Sequence, residues 1–372
     1  MPGSASGTIA TSLVLLPSVR IPMAKSPAVD SELIDIHEAR RWQDELSDLV
    51  TAPEELIELL QLDPEQLPWA QQASDKFALR VPRPFIRRMR LADPNDPLLL
   101  QVLPGAAELE VVAGFSADPL QEAEANPLPG VVHKYHGRLL FITAGQCAVN
   151  CRYCFRREFP YGDNHLNRKQ WSAALEYVRA RSELREVILS GGDPLVLNDR
   201  QLGWLAGELA QIPHLNKLRI HSRVPIVAPS RITDEMLSWF AQSRLKPVLV
   251  LHCNHANEID AEVRAGLARL RNAGVILLNQ AVLLRGVNDK CETLESLSET
   301  LFDAGVLPYY LHQLDRVNGA AHFEVSDSAA VEIIEQMRRR LPGYLVPKLV
   351  REIPGVASKS PIEANSKIPQ TN

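Results

Sequence analysis

Three of the five cysteines in this 372-residue chain fall inside one stretch, CAVNCRYCFRR, as Cys147, Cys151 and Cys154. Thiolates this close together bind metal. A structural zinc site usually takes four ligands, commonly as two Cys or His pairs. Here there are three cysteines and no matching second pair, with His165 as a candidate fourth zinc ligand. Cys253 and Cys291 stand apart and read as small buried hydrophobes. Three thiolates on one loop suit a [4Fe–4S] cluster held by three of its four irons, since four thiolates are the usual set. The missing ligand leaves one iron open, as catalytic metal sites keep a position open. A small molecule with nitrogen and oxygen donors would fill it. No zinc is expected.

The cysteines need elements to hold them. From about residue 137, short apolar runs alternate with longer amphipathic ones. The runs RLLFIT, EVILS, KLRIHS, PVLVLHC, VILLNQAVLL and PYYLHQL are rich in Val, Ile and Leu. They read as strands buried on both faces, as in a parallel sheet. Between them lie helical patterns such as ITDEMLSWFAQ, with Thr233 or Asp234 as N-cap, and DAEVRAGLARLRNAG, closed by Gly274. Six strand–helix units predict an α/β fold, a partial (β/α)6 barrel, with ligands at the carboxyl ends of the strands. The cysteines follow strand one. A second motif, VILSGGDPL, ends strand two in a glycine pair that lets a ligand approach the backbone. HSR, HCNH and Asp315 follow strands three, four and six.

Residues 1–30 read as a disordered tail, and Met23 as an alternative start. Residues 31–130 read as a mostly helical region, 131–345 as the barrel, and 346–372 as a C-terminal segment. Hydrophobic residues make up 45% and charged residues 23%, and the net charge is -5, so the chain lacks the basic footprint of a nucleic-acid binder. TSLVLLPSV is too short to span a membrane. The sparse, odd cysteine count points to a reducing cytoplasm rather than a disulfide framework.

Cys-x3-Cys-x2-Cys after a first barrel strand resembles the radical S-adenosylmethionine superfamily. The segments CRYCFRR, SGGDPL, SRVPIVAPSRI, HCNHANEI, NQAVLLRGVND and PGYLVPKLVREIPGVASK, in that order over roughly residues 75–361, resemble the lysine 2,3-aminomutase family. The resemblance implies a [4Fe–4S] cluster on Cys147, Cys151 and Cys154, with S-adenosylmethionine on the open iron. It implies contacts to that molecule from Ser190, Gly191, Gly192 and Asp193, and from His252 and Gln280. It also implies pyridoxal 5′-phosphate on Lys359, with Arg223 at the phosphate. The family carries a glycine run where this chain has Val356, Ala357 and Ser358. By the same resemblance Arg156 binds the carboxylate of L-lysine, and Asp315 and Glu352 bind its far ammonium; Glu352 stands where longer members carry Asp.

The implied reaction moves the amino group of L-lysine from the α- to the β-carbon. The short C-terminus resembles the bacterial branch that makes (R)-β-lysine for elongation factor P, with a separate β-lysine ligase downstream and a reductant for the cluster. An aminomutase for another amino acid, and a non-catalytic iron–sulfur or zinc module, stay open at this point.

Overall fold

The structure, a computed structural model, describes residues 41–66, 70–161 and 168–363; the expected tail (1–30) and His165 lie outside the described residues. All six expected strands form. They are β2 (Arg138–Ala144), β3 (Glu186–Gly191), β4 (Lys217–Ser222), β5 (Lys246–Leu251), β6 (Ile276–Val282) and β7 (Leu307–His312). β1 (Val131–Tyr135) precedes them, and β8 (Lys348–Arg351) and β9 (Ser360–Pro361) follow. The sheet has nine strands in sequential order. β2 to β8 are parallel, and β1 and β9 pair antiparallel at the two edges. The seventh parallel strand was not apparent in the sequence. The C-terminal segment is thus joined to the barrel sheet through β8 and β9.

Six helices return the chain between parallel strands: α1 (Arg168–Arg179), α2 (Asp199–Ala210), α3 (Asp234–Ala241), α4 (Ala261–Asn272), α5 (Cys291–Asp303) and α6 (Asp327–Arg340). Their ends follow local chemistry. Thr233 Oγ1 accepts the Met236 N–H at 3.1 Å and caps α3. Gly274 sits at φ +86 just past α4, where a left-handed residue closes the helix.

The strands depart from the expected uniform burial. In β4, Leu218, Ile220 and Ser222 are buried while Lys217, Arg219 and His221 are less so, and β6 alternates in the same way. One face packs on helices; the other lines a cavity, so it carries polar side chains. The sheet also curls. Lys134 on β1 reaches Glu352, just past β8, at 3.0 Å.

The region before the barrel is built from short helices (Pro53–Leu59, Ala70–Lys76, Arg83–Ile86) and single turns, with Leu49–Val50 paired to Val81–Pro82. Its Leu56, Phe85, Leu99 and Val102 belong to the same hydrophobic core as Phe141, Leu189 and Ile220 of the sheet. Among the described residues, no helix is long and apolar enough to cross a membrane.

Candidate active site

The curled sheet encloses a cavity of about 690 Å³, within the range of small-molecule sites. Every site residue expected from the sequence borders it: Cys147, Cys151, Cys154, Arg156, Ser190, Gly191, Gly192, Asp193, Arg223, His252, Gln280, Asp315, Glu352 and Lys359.

The cysteine loop leaves β2 and is tied to the preceding region. Asn150 N–H donates to Arg80 O and Arg152 N–H to Gln101 O, both at 3.0 Å. Burial pushes the Cys147 and Cys154 thiols up, Cys154 to about 11, and neighbouring cysteines push the same way. Among the described residues, no three His, Cys, Asp or Glu side chains converge tightly enough to grip one ion. A cubane instead takes one thiolate on each of three irons, so its ligands stand apart at its corners. Three thiols on one loop fit that donor set.

The glycine pair has a packing role of its own beside the cavity. A Cβ on Gly192 would lie 2.3 Å from Gln146 O, and one on Gly191 (φ +115) would lie 2.8 Å from the Ile142 side chain. The pair lets the end of β3 press against the loop that carries the cysteines. Asp193 is likewise turned inward. Its carboxylate accepts from Ser222 Oγ (2.7 Å) and from the N–H groups of Leu195 (3.0 Å), Arg223 (2.7 Å) and Val224 (3.2 Å). It clamps the ends of β3 and β4 together.

Arg223 is not placed as a phosphate ligand. Its Nη1 donates to Cys151 Sγ and to Tyr153 OH, both at 2.8 Å. Its Nη2 donates to Gln101 Oε1 (2.7 Å) and Glu258 Oε2 (3.0 Å). Both terminal nitrogens are committed at the cysteine end of the cavity. His252 and Gln280 meet each other, with Nε2 to Nε2 at 3.2 Å. Burial drops the His252 pKa to about 3, and holds His221 and His312 well below the ordinary value too, so this wall is uncharged.

Arg156 is buried, and its fork is occupied by Glu122, with Nε to Oε2 at 2.6 Å and Nη2 to Oε1 at 2.8 Å. Burial would push the Glu122 carboxyl up, but Arg156, with Lys134 behind it, outweighs burial and holds it below the usual range. Glu122 carried no signal in the sequence: it sits in a proline-rich connection with no periodicity.

Glu352 accepts from Lys134 Nζ (3.0 Å) and Lys359 Nζ (2.8 Å). Burial would raise its pKa, yet the two ammonium groups bring it down to about 2. Asp315 differs. Among the described residues its carboxylate has no hydrogen-bond partner, and burial, reinforced by the Glu352 charge, pushes its pKa up to about 7. Asp315 is half-buried; a carboxylate drawn partly out of water without a partner is costly, so it is poised for a cation.

The cavity also holds Lys134, Tyr135, Arg138, Arg219 and Tyr310, a cluster of cations and hydroxyls that the sequence reading passed over. The signal was present, as basic residues flanking the first apolar run in HKYHGR. Arg219 Nε, His221 Nε2 and His312 Nε2 are buried with no partner among the described residues. Unmet capacity at these atoms, beside the Lys359 amine, fits a phosphate-bearing aldehyde such as pyridoxal phosphate.

Comparison with known proteins shows the family. The Radical SAM superfamily pattern matches residues 141–297. The chain is 54% identical to the L-lysine 2,3-aminomutase of Escherichia coli, over 87% of this chain and 94% of that one. It is 49% identical to the Haemophilus influenzae protein of the same name, over 87% of this chain and 96% of that one. It is 36% identical to the one from Acetoanaerobium sticklandii, over 89% and 80%. At this identity and coverage, with the cysteine loop, the lysine and both acids in one cavity, the chain belongs to the lysine 2,3-aminomutase family.

Proposed function

We propose that this protein is a radical S-adenosylmethionine isomerase that converts L-lysine to β-lysine. The single observation that carries the substrate is Asp315: a half-buried carboxylate, without a hydrogen-bond partner among the described residues, in the same cavity as a buried guanidinium. L-lysine brings one carboxylate and one distant ammonium, and the cavity offers a receptor for each.

When bound, the cluster with S-adenosylmethionine supplies a carbon-centred radical, and pyridoxal phosphate supplies a ring that delocalises the unpaired electron. The protein's own side chains bind and orient. Cys147, Cys151 and Cys154 would hold the cluster, and the end of β3 with the His252–Gln280 pair would contact S-adenosylmethionine. Lys359 would hold pyridoxal phosphate, with Lys134, Arg138, Arg219 and Tyr135 near its phosphate. Arg156 presents a planar fork to the lysine carboxylate. Asp315 receives the far ammonium. Glu352 joins it when the Lys359 amine is engaged elsewhere, because the oxygen that accepts from Lys359 Nζ is then released. The neutral histidines keep the wall free of charges that would compete for the substrate.

The resemblance to the short bacterial branch supports (R)-β-lysine as the product. It also supports elongation factor P, reached through a separate β-lysine ligase, as the destination, and a reducing cytoplasm with a cluster reductant as the setting.

The test is an anaerobic assay of the reconstituted protein with S-adenosylmethionine, pyridoxal phosphate, a reductant and L-lysine, with chiral separation of lysine isomers. (R)-β-lysine is expected, and is expected to vanish in Cys151→Ala and Lys359→Ala. Cleavage of S-adenosylmethionine with lysine untouched would sink the substrate and leave the radical chemistry standing. A cluster-loaded protein that leaves S-adenosylmethionine intact would sink both.

A further inference from the structure

The Glu122 carboxylate stands where a substrate carboxylate would have to go. It takes both N–H groups along one edge of the Arg156 guanidinium, at 2.6 and 2.8 Å. The remaining nitrogen, Nη1, faces Ser190 Oγ at 3.3 Å and Gly191 O at 3.5 Å. The end-on edge, Nη1 with the second N–H of Nη2, is left, but Ser190 Oγ and Gly191 O already crowd Nη1. Lysine therefore takes the Nε–Nη2 edge of Arg156 only if Glu122 leaves it.

The surroundings suit such an exchange. Breaking a buried ion pair is strongly unfavourable when it strands a charge. Replacing one carboxylate by another strands nothing at Arg156. Glu122 is not stranded either, because Lys134 Nζ already stands 3.6 Å from its Oε1. Its backbone is a single turn, Glu122–Ala125, between Pro119 and Pro127. Gln121 and Glu124 are exposed, while Glu122 points inward. At the joint, Gln121 holds φ +48, a left-handed conformation unusual for a residue other than glycine. Backbone strain of this kind gathers at ligand clamps and switch segments.

We propose that Glu122 is a built-in competitor for the substrate carboxylate. It pairs with Arg156 while the site is empty and gives way only to a ligand that brings a carboxylate of its own. This rests on the reading of Arg156 as the carboxylate site. The consequence is selectivity. A diamine with the right ammonium but no carboxylate, such as 1,5-diaminopentane, cannot release Glu122, so it meets a closed site.

The experiment is anaerobic calorimetry of L-lysine binding to the holoenzyme, comparing wild type, Glu122→Gln, Glu122→Ala and Arg156→Gln, each checked for cluster and pyridoxal content. If Glu122 occupies Arg156 in nine-tenths of empty molecules, its removal tightens lysine binding about tenfold, because the competent fraction rises by that factor. In Glu122→Ala, added propionate is expected to occupy the vacated place and raise the apparent Kd for lysine, while wild type, where Glu122 competes, needs about ten times more propionate for the same effect. A purely structural Glu122 that holds Arg156 in place gives the opposite sign: weaker lysine binding in both variants. Weaker or unchanged binding overturns the exchange. The Gln variant, of the same shape as Glu, decides the matter if Glu122→Ala does not load its cofactors. Arg156→Gln separates the two possible failures. If it leaves lysine binding intact, the carboxylate site itself is misplaced. If it weakens binding, and Glu122→Gln weakens it too, only the exchange is wrong.

Discussion

Arg156 and Arg223 are both buried, both border the cavity and both lie close to the cysteine loop, yet they are held in different ways. Arg223 is gripped from several sides. Cys151, Tyr153, Gln101 and Glu258 accept from its two terminal nitrogens, and its guanidinium lies over Phe85 at 5.3 Å. Its acceptors are themselves fixed. Glu258 also takes Gln101 Nε2 (3.1 Å) and the Asn254 N–H (2.9 Å), and Asn254 Nδ2 donates to Tyr153 OH at 2.6 Å. Arg156 has one carboxylate on one surface turn. A network of interlinked acceptors fixes a cation for good, whereas Arg156, whose other contacts to Ser190 Oγ and Gly191 O are long at 3.3 and 3.5 Å, depends on one close pair. The fixed guanidinium points at a cysteine sulfur, and the other is the one we propose for the substrate carboxylate.

The largest effect should come from removing the fixed cation. Arg223→Met leaves Glu258 buried and unpaired, which costs about 3–5 kcal/mol. Arg156→Met should cost less, because Glu122 sits on a surface turn beside Lys134 and can follow its charge outward. Urea unfolding of the two variants measures this. Equal losses would break the contrast between a locked and an exchangeable arginine.

Next comes the seat of the cysteine loop. Gly192→Ala places a methyl 2.3 Å from Gln146 O, a contact that only backbone movement can relieve. The loop carrying Cys147 should shift, and iron bound per chain after reconstitution should fall severalfold. Full iron content would mean that the loop tolerates displacement, and that Arg223, rather than the glycine pair, holds the cysteines in register.

These two features show what the sequence did and did not disclose. The cysteine spacing and six apolar runs were legible because both are local: ligand geometry fixes the first, and burial on a parallel sheet fixes the second. The packing role of the glycine pair was not legible, because a strand-ending turn looks the same whether or not the chain's own loop lies against it. The partners of Arg223 were not legible, since a residue at a strand terminus does not announce which neighbour it will meet. Glu122 and Lys134 were missed because their partners, Arg156 and Glu352, lie far along the chain. β8 was missed because KLVR is only four residues long, too short for a periodic signal.

A moderate effect is expected at the ammonium end, where Asp315 and Glu352 repeat the contrast between free and paired groups. Asp315→Asn removes the carboxylate that awaits a partner, and lysine affinity should fall by about 1.5–3 kcal/mol, the usual worth of a hydrogen bond to a charged group. Asp315 titrates at about 7, so below that pH it becomes neutral and lysine affinity should fall about tenfold per unit. The Asn variant should lose this limb. The empty fold behaves oppositely. Its Asp315 pKa lies above the unfolded value, so the native state binds more protons between roughly pH 4 and 7 and gains stability as pH falls through that window. Glu352, held at about 2, should contribute no such limb near neutrality.

The smallest effect tests what the fixed arginine does for the metal. Arg223 Nη1 stands 2.8 Å from Cys151 Sγ. Hydrogen bonds to ligand sulfurs are among the factors that set the potential of an iron–sulfur cluster. A donor on a thiolate withdraws charge and favours the reduced state, which carries one more electron. Arg223→Lys keeps the positive charge but replaces the planar fork with a single ammonium, which cannot satisfy Cys151, Tyr153, Gln101 and Glu258 at once. The midpoint potential of the reconstituted protein, followed by EPR, should move negative by about 59 mV if the lost bond is worth a tenfold change in a one-electron equilibrium. Tyr153→Phe removes one acceptor and leaves the arginine in place, so its shift should be smaller. If both variants keep the wild-type potential while Arg223→Lys still loses stability, the arginine only braces the loop. If the potential moves with little change in stability, the network exists to hold one donor against one sulfur.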